Sequence, residues 1–224
     1  MRKKLTKAQA AQVIDILEEL YPEAKAELDH ENPFELLIAT ILSAQCTDVR
    51  VNQVTKPLFQ ELKTPEDYLA LGELQLAERI RSCGFYNSKS KNIIGTCTRL
   101  VSVYHSQVPD SIEELMTLPG VGKKTANVVV SNAFGIPAIA VDTHVFRVSN
   151  RIGLVDGKDV VETEEQLMRV IPKQRWTKMH HCLIFHGRRV CKARSPQCEV
   201  CAIAELCLEL KRRRNHVAKQ KKSS

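Results

Sequence analysis

Residues 118–126, L-P-G-V-G-K-K-T-A, place two glycines two apart between two stretches of helical periodicity. Glycine enters the φ > 0 region at little cost and lets a second backbone or a phosphate approach closely. The segment therefore reads as a tight corner joining two helices. Where such a hairpin opens a helix, unpaired N–H groups stand at the positive end of the helix dipole, which is an anion site. Lys124 follows within the first turn, where the dipole disfavours an ammonium and suits a nucleophilic amine. The same residues also suit a plain helix–turn–helix corner with a solvated lysine pair, Lys123 and Lys124, and the segment alone does not separate the two readings.

The rest of the chain reads as all-α. Thr6 with Gln9 forms a capping box before an apolar face of Val13, Ile14, Ile16, Leu17 and Leu20. Asn32-Pro33 supplies a cap and a first-turn proline for a helix that is apolar nearly all round, Phe34 to Ala44, and so belongs at the centre. Thr47 or Asp48 caps a helix to about Leu62, and Thr64-Pro65 opens the next. Gly84 ends the following one, and Ser88 starts a helix to about Tyr104. Ser111 with Glu114 opens the first hairpin helix, and the second runs from about Lys123 to Phe134 and stops at Gly135. Asp142 stands at another helix start, and Thr163 with Gln166 caps a helix that Pro172 ends. No pair of alternating strands and no tandem repeat is present in the pattern.

Cys191, Cys198, Cys201 and Cys207 are spaced C-x6-C-x2-C-x5-C. Four thiols in 17 residues, with no secretory signal ahead of them, read as a metal site. Tetrahedral zinc favours two tight pairs, and only Cys198 and Cys201 make one. The looser spacing suits a four-iron cubane held by four cysteines. Cys46, Cys83, Cys97 and Cys182 have no ligand spacing and read as small hydrophobes.

Charge narrows the partners. Residues 211–224 hold seven of the 33 basic residues and no acid, which equals the net charge of +7, so residues 1–210 are formally neutral. A polyanion must then be held by local patches and by this tail, unless the tail is only a solvated end. Arg188, Arg189, Lys192 and Arg194 form one such patch around the first cysteine of the cluster. The longest apolar run is too short to span a bilayer, and the N-terminus M-R-K-K-L-T-K lacks a signal peptide's apolar stretch, so the expectation is a cytoplasmic protein without membrane contact.

In combination, the hairpin with Lys124, the segment I-A-V-D-T-H ending at His144, the segment from Pro33 to Gln45 and the four cysteines resemble the endonuclease III branch of the helix-hairpin-helix DNA glycosylases. The likeness runs from about Leu5 to Cys207. It implies two helical lobes: a six-helix bundle with the helix-hairpin-helix motif at 26–136, and 1–25 plus 137–210 as an iron–sulfur cluster domain, followed by a basic flexible tail at 211–224. It implies a bifunctional glycosylase and abasic-site lyase of base excision repair, acting as a monomer on double-stranded DNA that contains oxidised pyrimidines or abasic sites. Lys124 becomes the nucleophile and Asp142 the electrostatic partner, although an aspartate at a helix start is also an ordinary cap. Leu118, Gly120, Val121, Gly122, Lys123 and Thr125 bind the DNA backbone, with Lys192 and Arg194 in the cluster loop. Gln45 and Phe85 become wedges that fill the space of an extruded nucleotide; Phe85 stands where relatives often have leucine, and a core phenylalanine is the competing reading. Cys191, Cys198, Cys201 and Cys207 hold a [4Fe-4S] cluster. The rivals are a non-catalytic DNA-binding module that uses the cluster as a redox sensor, against which the Lys124–Asp142 pairing speaks, and the adenine-mismatch branch, against which Lys124 and the absence of a long C-terminal recognition domain speak.

Overall fold

The computed structural model describes residues 4–220. Among the described residues all regular structure is helical, and the chain divides into two compact units. One comprises residues 26–136; the other joins the N-terminal segment up to Lys25 with everything from Pro137 onward.

The first unit is built around α2 (Pro33–Leu42). Every residue from Phe34 to Leu42 is buried, as an apolar surface on all faces requires. Asn32 caps the helix by accepting from the Glu35 amide at 2.9 Å. Around α2 lie α3 (Asp48–Glu61), α4 (Pro65–Leu71), α5 (Glu73–Arg79) and α6 (Tyr86–Tyr104). The single turn α7 (Ile112–Leu115) and α8 (Lys123–Ala133) form the two arms of the hairpin. Thr47 is the cap of α3, and Thr64 caps α4 in a box with Asp67. The helix expected from Ser88 begins two residues earlier, at Tyr86, because Phe85 takes the capping position with left-handed backbone (φ 46°).

The second unit packs α1 (Lys7–Leu20), α9 (Thr143–Ile152), α10 (Val160–Val170) and α11 (Trp176–Arg189) around one core that includes Val13, Leu17, Val145, Val148, Leu167 and Leu183. The predicted box of Thr6 and Gln9 is present at the start of α1. Polar ties fix α1 beside α11 across the long sequence gap. Arg175 grips Glu18 with two bonds of 3.0 and 2.8 Å and Asp15 with a third of 2.7 Å. Lys178 donates to the carbonyls of Pro22 and Ala24.

One local expectation fails in this unit, and another segment has more regular structure than its sequence pattern suggests. The cap of α10 is Asp159, which accepts from the Glu162 amide at 2.8 Å; Thr163 lies buried one turn later, and Gln166 instead brackets Asp156. The segment expected to be a flexible tail is helical as far as it is described, α12 (Leu208–Gln220). Leu208 anchors it by packing onto Gly153, where a Cβ would sit 2.5 Å from the leucine. Glu209 pairs with Arg212 and Arg213, and Arg214 with Glu205, so like charges along the helix are partly neutralised. Residues 221–224 of that segment lie outside the described residues.

Candidate nucleic-acid and cluster sites

The hairpin between α7 and α8 is closed by its own backbone. The Leu118 amide donates to Leu115 and the Val121 amide to Leu118, and both side chains are buried. Leu118 and Val121 therefore build the corner rather than offer amides to a ligand. Among the described residues, the amides of Gly120, Gly122 and Lys124 donate to no backbone carbonyl. They stand at the start of α8, where the first N–H groups of a helix lack intrahelical partners. The two glycines have different reasons to be glycine. Gly120 has φ +77°, and a Cβ there would come within 2.8 Å of Asn92. Gly122 has ordinary extended backbone (φ −91°) and open space where a Cβ would be. It caps α8 with no side chain, which leaves the approach to the amides clear.

Helix α6 supports this corner through residues that no sequence motif marks. Thr96 donates its hydroxyl to the Pro119 carbonyl at 2.8 Å. Gly95 lies against the Pro119 ring, where a Cβ would stand 3.1 Å from it. Lys123 and Lys124 are both exposed in the first turn of α8, and Thr125 is half-buried.

Gln45 and Phe85 flank the same unit's surface. Both are exposed, Phe85 to 66%, which removes the core reading of that ring. Both hold a left-handed backbone, with φ of 53° and 46°. For side chains of this size such a conformation is costly and persists only where surrounding contacts enforce it.

Asp142 belongs to the other unit and caps α9: one carboxylate oxygen accepts the Val145 amide at 2.7 Å. The carboxylate is half-buried, and its second oxygen makes no hydrogen bond among the described residues. His144 is held as a structural group, its Nδ1 3.2 Å from Arg147, and burial keeps its imidazole below the usual range. Gly187 of α11 makes room for this contact, since a Cβ would lie 2.9 Å from His144.

The same helix holds the cysteine loop. Arg147 donates to the carbonyls of Gly187 and Cys191 at 3.0–3.2 Å. Arg151 donates to those of Lys192 and Ala193 at 2.7 and 3.0 Å. Both arginines escaped the sequence reading. Lys192 and Arg194 themselves are exposed at the tip of the loop, and Ser195 turns it with φ 50°.

Cys191, Cys198, Cys201 and Cys207 line one pocket, completed mainly by apolar side chains such as Ile152, Val190, Ile203 and Leu210. Among the described residues no three His, Cys, Asp or Glu side chains stand as close as a single metal ion needs, whereas four cysteines spread around one pocket suit the larger four-iron cubane. Burial pushes the Cys201 and Cys207 thiols above their ordinary range, so thiolates here require a cationic centre between them. His186 supplies outer support. Burial lowers its imidazole to about 4 and raises Tyr21 to about 12, so the pair stays neutral. With Tyr21 donating to Nδ1 at 3.0 Å, the Nε2–H faces the Cys201 sulfur at 3.6 Å.

Comparison with known proteins gives one answer. Residues 38–173 match the profile of the HhH-GPD superfamily of base excision DNA repair proteins, and residues 191–207 match the iron-sulfur binding domain of endonuclease III. Endonuclease III of Bacillus subtilis is 53% identical over 201 residues, covering 89% of this chain and 92% of that protein. The Escherichia coli K12 protein of the same name is 47% identical over 203 residues, covering 91% and 96%. A solved non-covalent endonuclease III–DNA complex superposes with a TM-score of 0.90 at 53% identity, covering 94% of this chain and 99% of that one. A trapped endonuclease III–DNA covalent intermediate superposes with a TM-score of 0.89 at the same identity, covering 93% and 99%.

Proposed function

The chain belongs to the endonuclease III family of helix-hairpin-helix repair enzymes, and from that premise we propose how its residues divide the work. The activity is that of a bifunctional DNA glycosylase and abasic-site lyase, and the cofactor is a [4Fe-4S] cluster. One observation carries the assignment of the nucleophile: Lys124 stands exposed in the first turn of α8, directly after a hairpin whose free amides suit a phosphate.

In this reading the Lys124 amine attacks C1′ of the damaged nucleotide. The C1′–N bond breaks, and the base departs with the electron pair and takes up a proton. The sugar ring opens to a protonated Schiff base on the lysine. Loss of a 2′ proton then feeds electrons into the iminium, and β-elimination expels the phosphate at the 3′ side. Asp142 has the task of stabilising positive charge as it develops on the sugar, through the carboxylate oxygen its capping bond leaves over. The amides of Gly120, Gly122 and Lys124 hold a backbone phosphate, with Lys123 and Thr125 beside them. Gln45 and Phe85 enter the space that the flipped nucleotide leaves.

The finer substrate is an oxidised pyrimidine or an abasic site in duplex DNA, bound by a monomer. Residues 26–136 act as the DNA-gripping bundle. Residues 1–25 with 137–210 act as the cluster domain, whose loop adds phosphate contacts from Lys192 and Arg194. When bound, the cluster supplies a rigid, charge-compensating cross-link between Cys191, Cys198, Cys201 and Cys207, which keeps that loop in shape.

Borohydride trapping on an abasic duplex tests the reading. Lys124→Gln should give no covalent adduct while keeping most of its affinity for damaged DNA, and Lys123→Gln should still form the adduct. Normal trapping by Lys124→Gln would remove Lys124 from the nucleophile role.

A further inference from the structure

Lys89 is 4% exposed, yet no acidic side chain pairs with it among the described residues. Lysine is almost never buried this deeply without a partner, because desolvating an ammonium is costly. Its charge is held instead by two backbone carbonyls: Nζ donates to Leu42 at 2.8 Å and to Cys83 at 2.7 Å. The Leu42 carbonyl belongs to the last turn of α2, and the Cys83 carbonyl ends the short 3-10 turn Arg81–Cys83. Carbonyls at such ends lack helical partners and carry the negative pole of the dipole, so a cation is favoured there. Burial shifts the ammonium toward deprotonation, which marks this contact as one the fold sustains at a cost.

The two carbonyls stand at significant places in the chain. Leu42 lies three residues before Gln45, and Cys83 two residues before Phe85. Gln45 and Phe85 are exposed side chains in left-handed backbone, and Lys89 ties together the two segments that present them. The same segments also come together at Cys83, whose thiol burial and the neighbouring Cys46 push up to about 11. Lys89 itself sits on the first turn of α6, the helix that Phe85 caps and that backs the hairpin through Asn92, Gly95 and Thr96.

We infer that Lys89 is a positioning residue for base extrusion: its ammonium clamps the ends of α2 and of the 3-10 turn together, so that Gln45 and Phe85 enter the duplex as one rigid pair. This rests on the wedge roles proposed above and adds the element that holds them. Two separate loops, each strained and exposed, would otherwise relax independently, and the ordering would have to occur at the moment of binding. An ammonium meets the need because it reaches two carbonyls from one point; an apolar side chain of similar length has no donor there.

The test separates opening the duplex from the chemistry. Single-stranded abasic DNA has no stack to open and needs no wedge, whereas a duplex abasic site does. Lys89→Met keeps the buried aliphatic stem and removes the donors. Single-turnover lyase rates on the two substrates should fall at least tenfold on the duplex and stay within about threefold of the parent on the single strand. In parallel, 2-aminopurine opposite an abasic analogue should lose most of the fluorescence rise that the parent produces on binding. Lys89→Gln, which keeps two N–H donors without the charge, serves if the methionine variant does not fold, and should fall between it and the parent. Equal losses on both substrates, or none on the duplex, would overturn the inference. Gln45→Ala and Phe85→Ala distinguish the two levels. If they lose the duplex rate and Lys89→Met keeps it, the wedges stand and the clamp fails. If neither alanine variant loses it, the wedge reading fails and the clamp falls with it.

Discussion

The two hairpin glycines should fail in different ways when each is replaced by alanine. At Gly120 a side chain meets two penalties. The left-handed backbone costs an L-residue about 1–2 kcal/mol. The new Cβ would also lie 2.8–2.9 Å from three atoms of the Asn92 side chain, an overlap that partial relaxation reduces to about 1 kcal/mol. Lower entropy of the unfolded chain returns about 0.4–1 kcal/mol. The net loss is about 2 kcal/mol, or a fall in Tm of roughly 4–8 °C for a chain of this size. At Gly122 neither penalty applies, since φ is −91° and nothing lies within 4 Å of the added Cβ. Alanine is a poorer cap than glycine, but the gain from the unfolded state is of similar size, so stability should change by no more than about 0.5 kcal/mol.

Affinity should show a different pattern. A methyl group at Gly122 occupies the approach to the unpaired amides at the start of α8, and binding to an abasic duplex should weaken about tenfold, or roughly 1.4 kcal/mol. Urea denaturation and fluorescence anisotropy on the two variants read the two quantities separately. The reasoning is wrong if Gly122→Ala loses as much stability as Gly120→Ala, or if it binds abasic DNA like the parent.

Asp142→Asn should fold within about 1 kcal/mol of the parent, because an amide oxygen still accepts the Val145 N–H, yet lose roughly a hundredfold or more in base excision; excision within a few-fold of the parent would leave Asp142 as a cap only. Arg151→Met removes the bonds to the Lys192 and Ala193 carbonyls, worth about 1–2 kcal/mol together after solvent screening, and should speed iron loss to a chelator by roughly five- to thirtyfold, followed by the cluster's visible absorbance. His181 gives a pH dependence: burial lowers its imidazole from the ordinary 6.5 to about 3, so the unfolded chain takes up the proton first, and stability is complete above pH 6.5 and declines as the pH falls. The decline approaches about 1.4 kcal/mol per pH unit once the pH is well below 6.5, so urea titrations at pH 6.5 and 5 should differ by about 1.6 kcal/mol more in the parent than in His181→Leu; identical pH slopes would contradict the assignment.

Residues that act through their own chemical type were legible in the sequence, and those that act through backbone carbonyls were not. A thiol is a rare and specific ligand, so four cysteines in 17 residues announce a cluster before any fold is known. The hairpin is legible because left-handed backbone selects glycine, although that reason holds for Gly120 and not for Gly122. Thr6, Asn32 and Thr64 were readable as caps because their partner amides lie three residues on. The same local rule misled at Thr163, where Asp159 offers the same spacing one turn earlier and only packing decides between them. Lys89, Arg147, Arg151 and Lys178 share another kind of silence. Each donates to main-chain carbonyls of a distant segment, and every residue type presents the same carbonyl, so the partner leaves no mark in the sequence. These cations read as solvated charges along the chain, and as fixed struts once folded. They also fall where function demands rigidity: one between the segments of the two wedges, two on the helix that begins with Asp142 and holds the cysteine loop. Asp142 and the loop around Cys191 are thus anchored to a single helix, α9, and a disturbance at either end has a short, stiff route to the other.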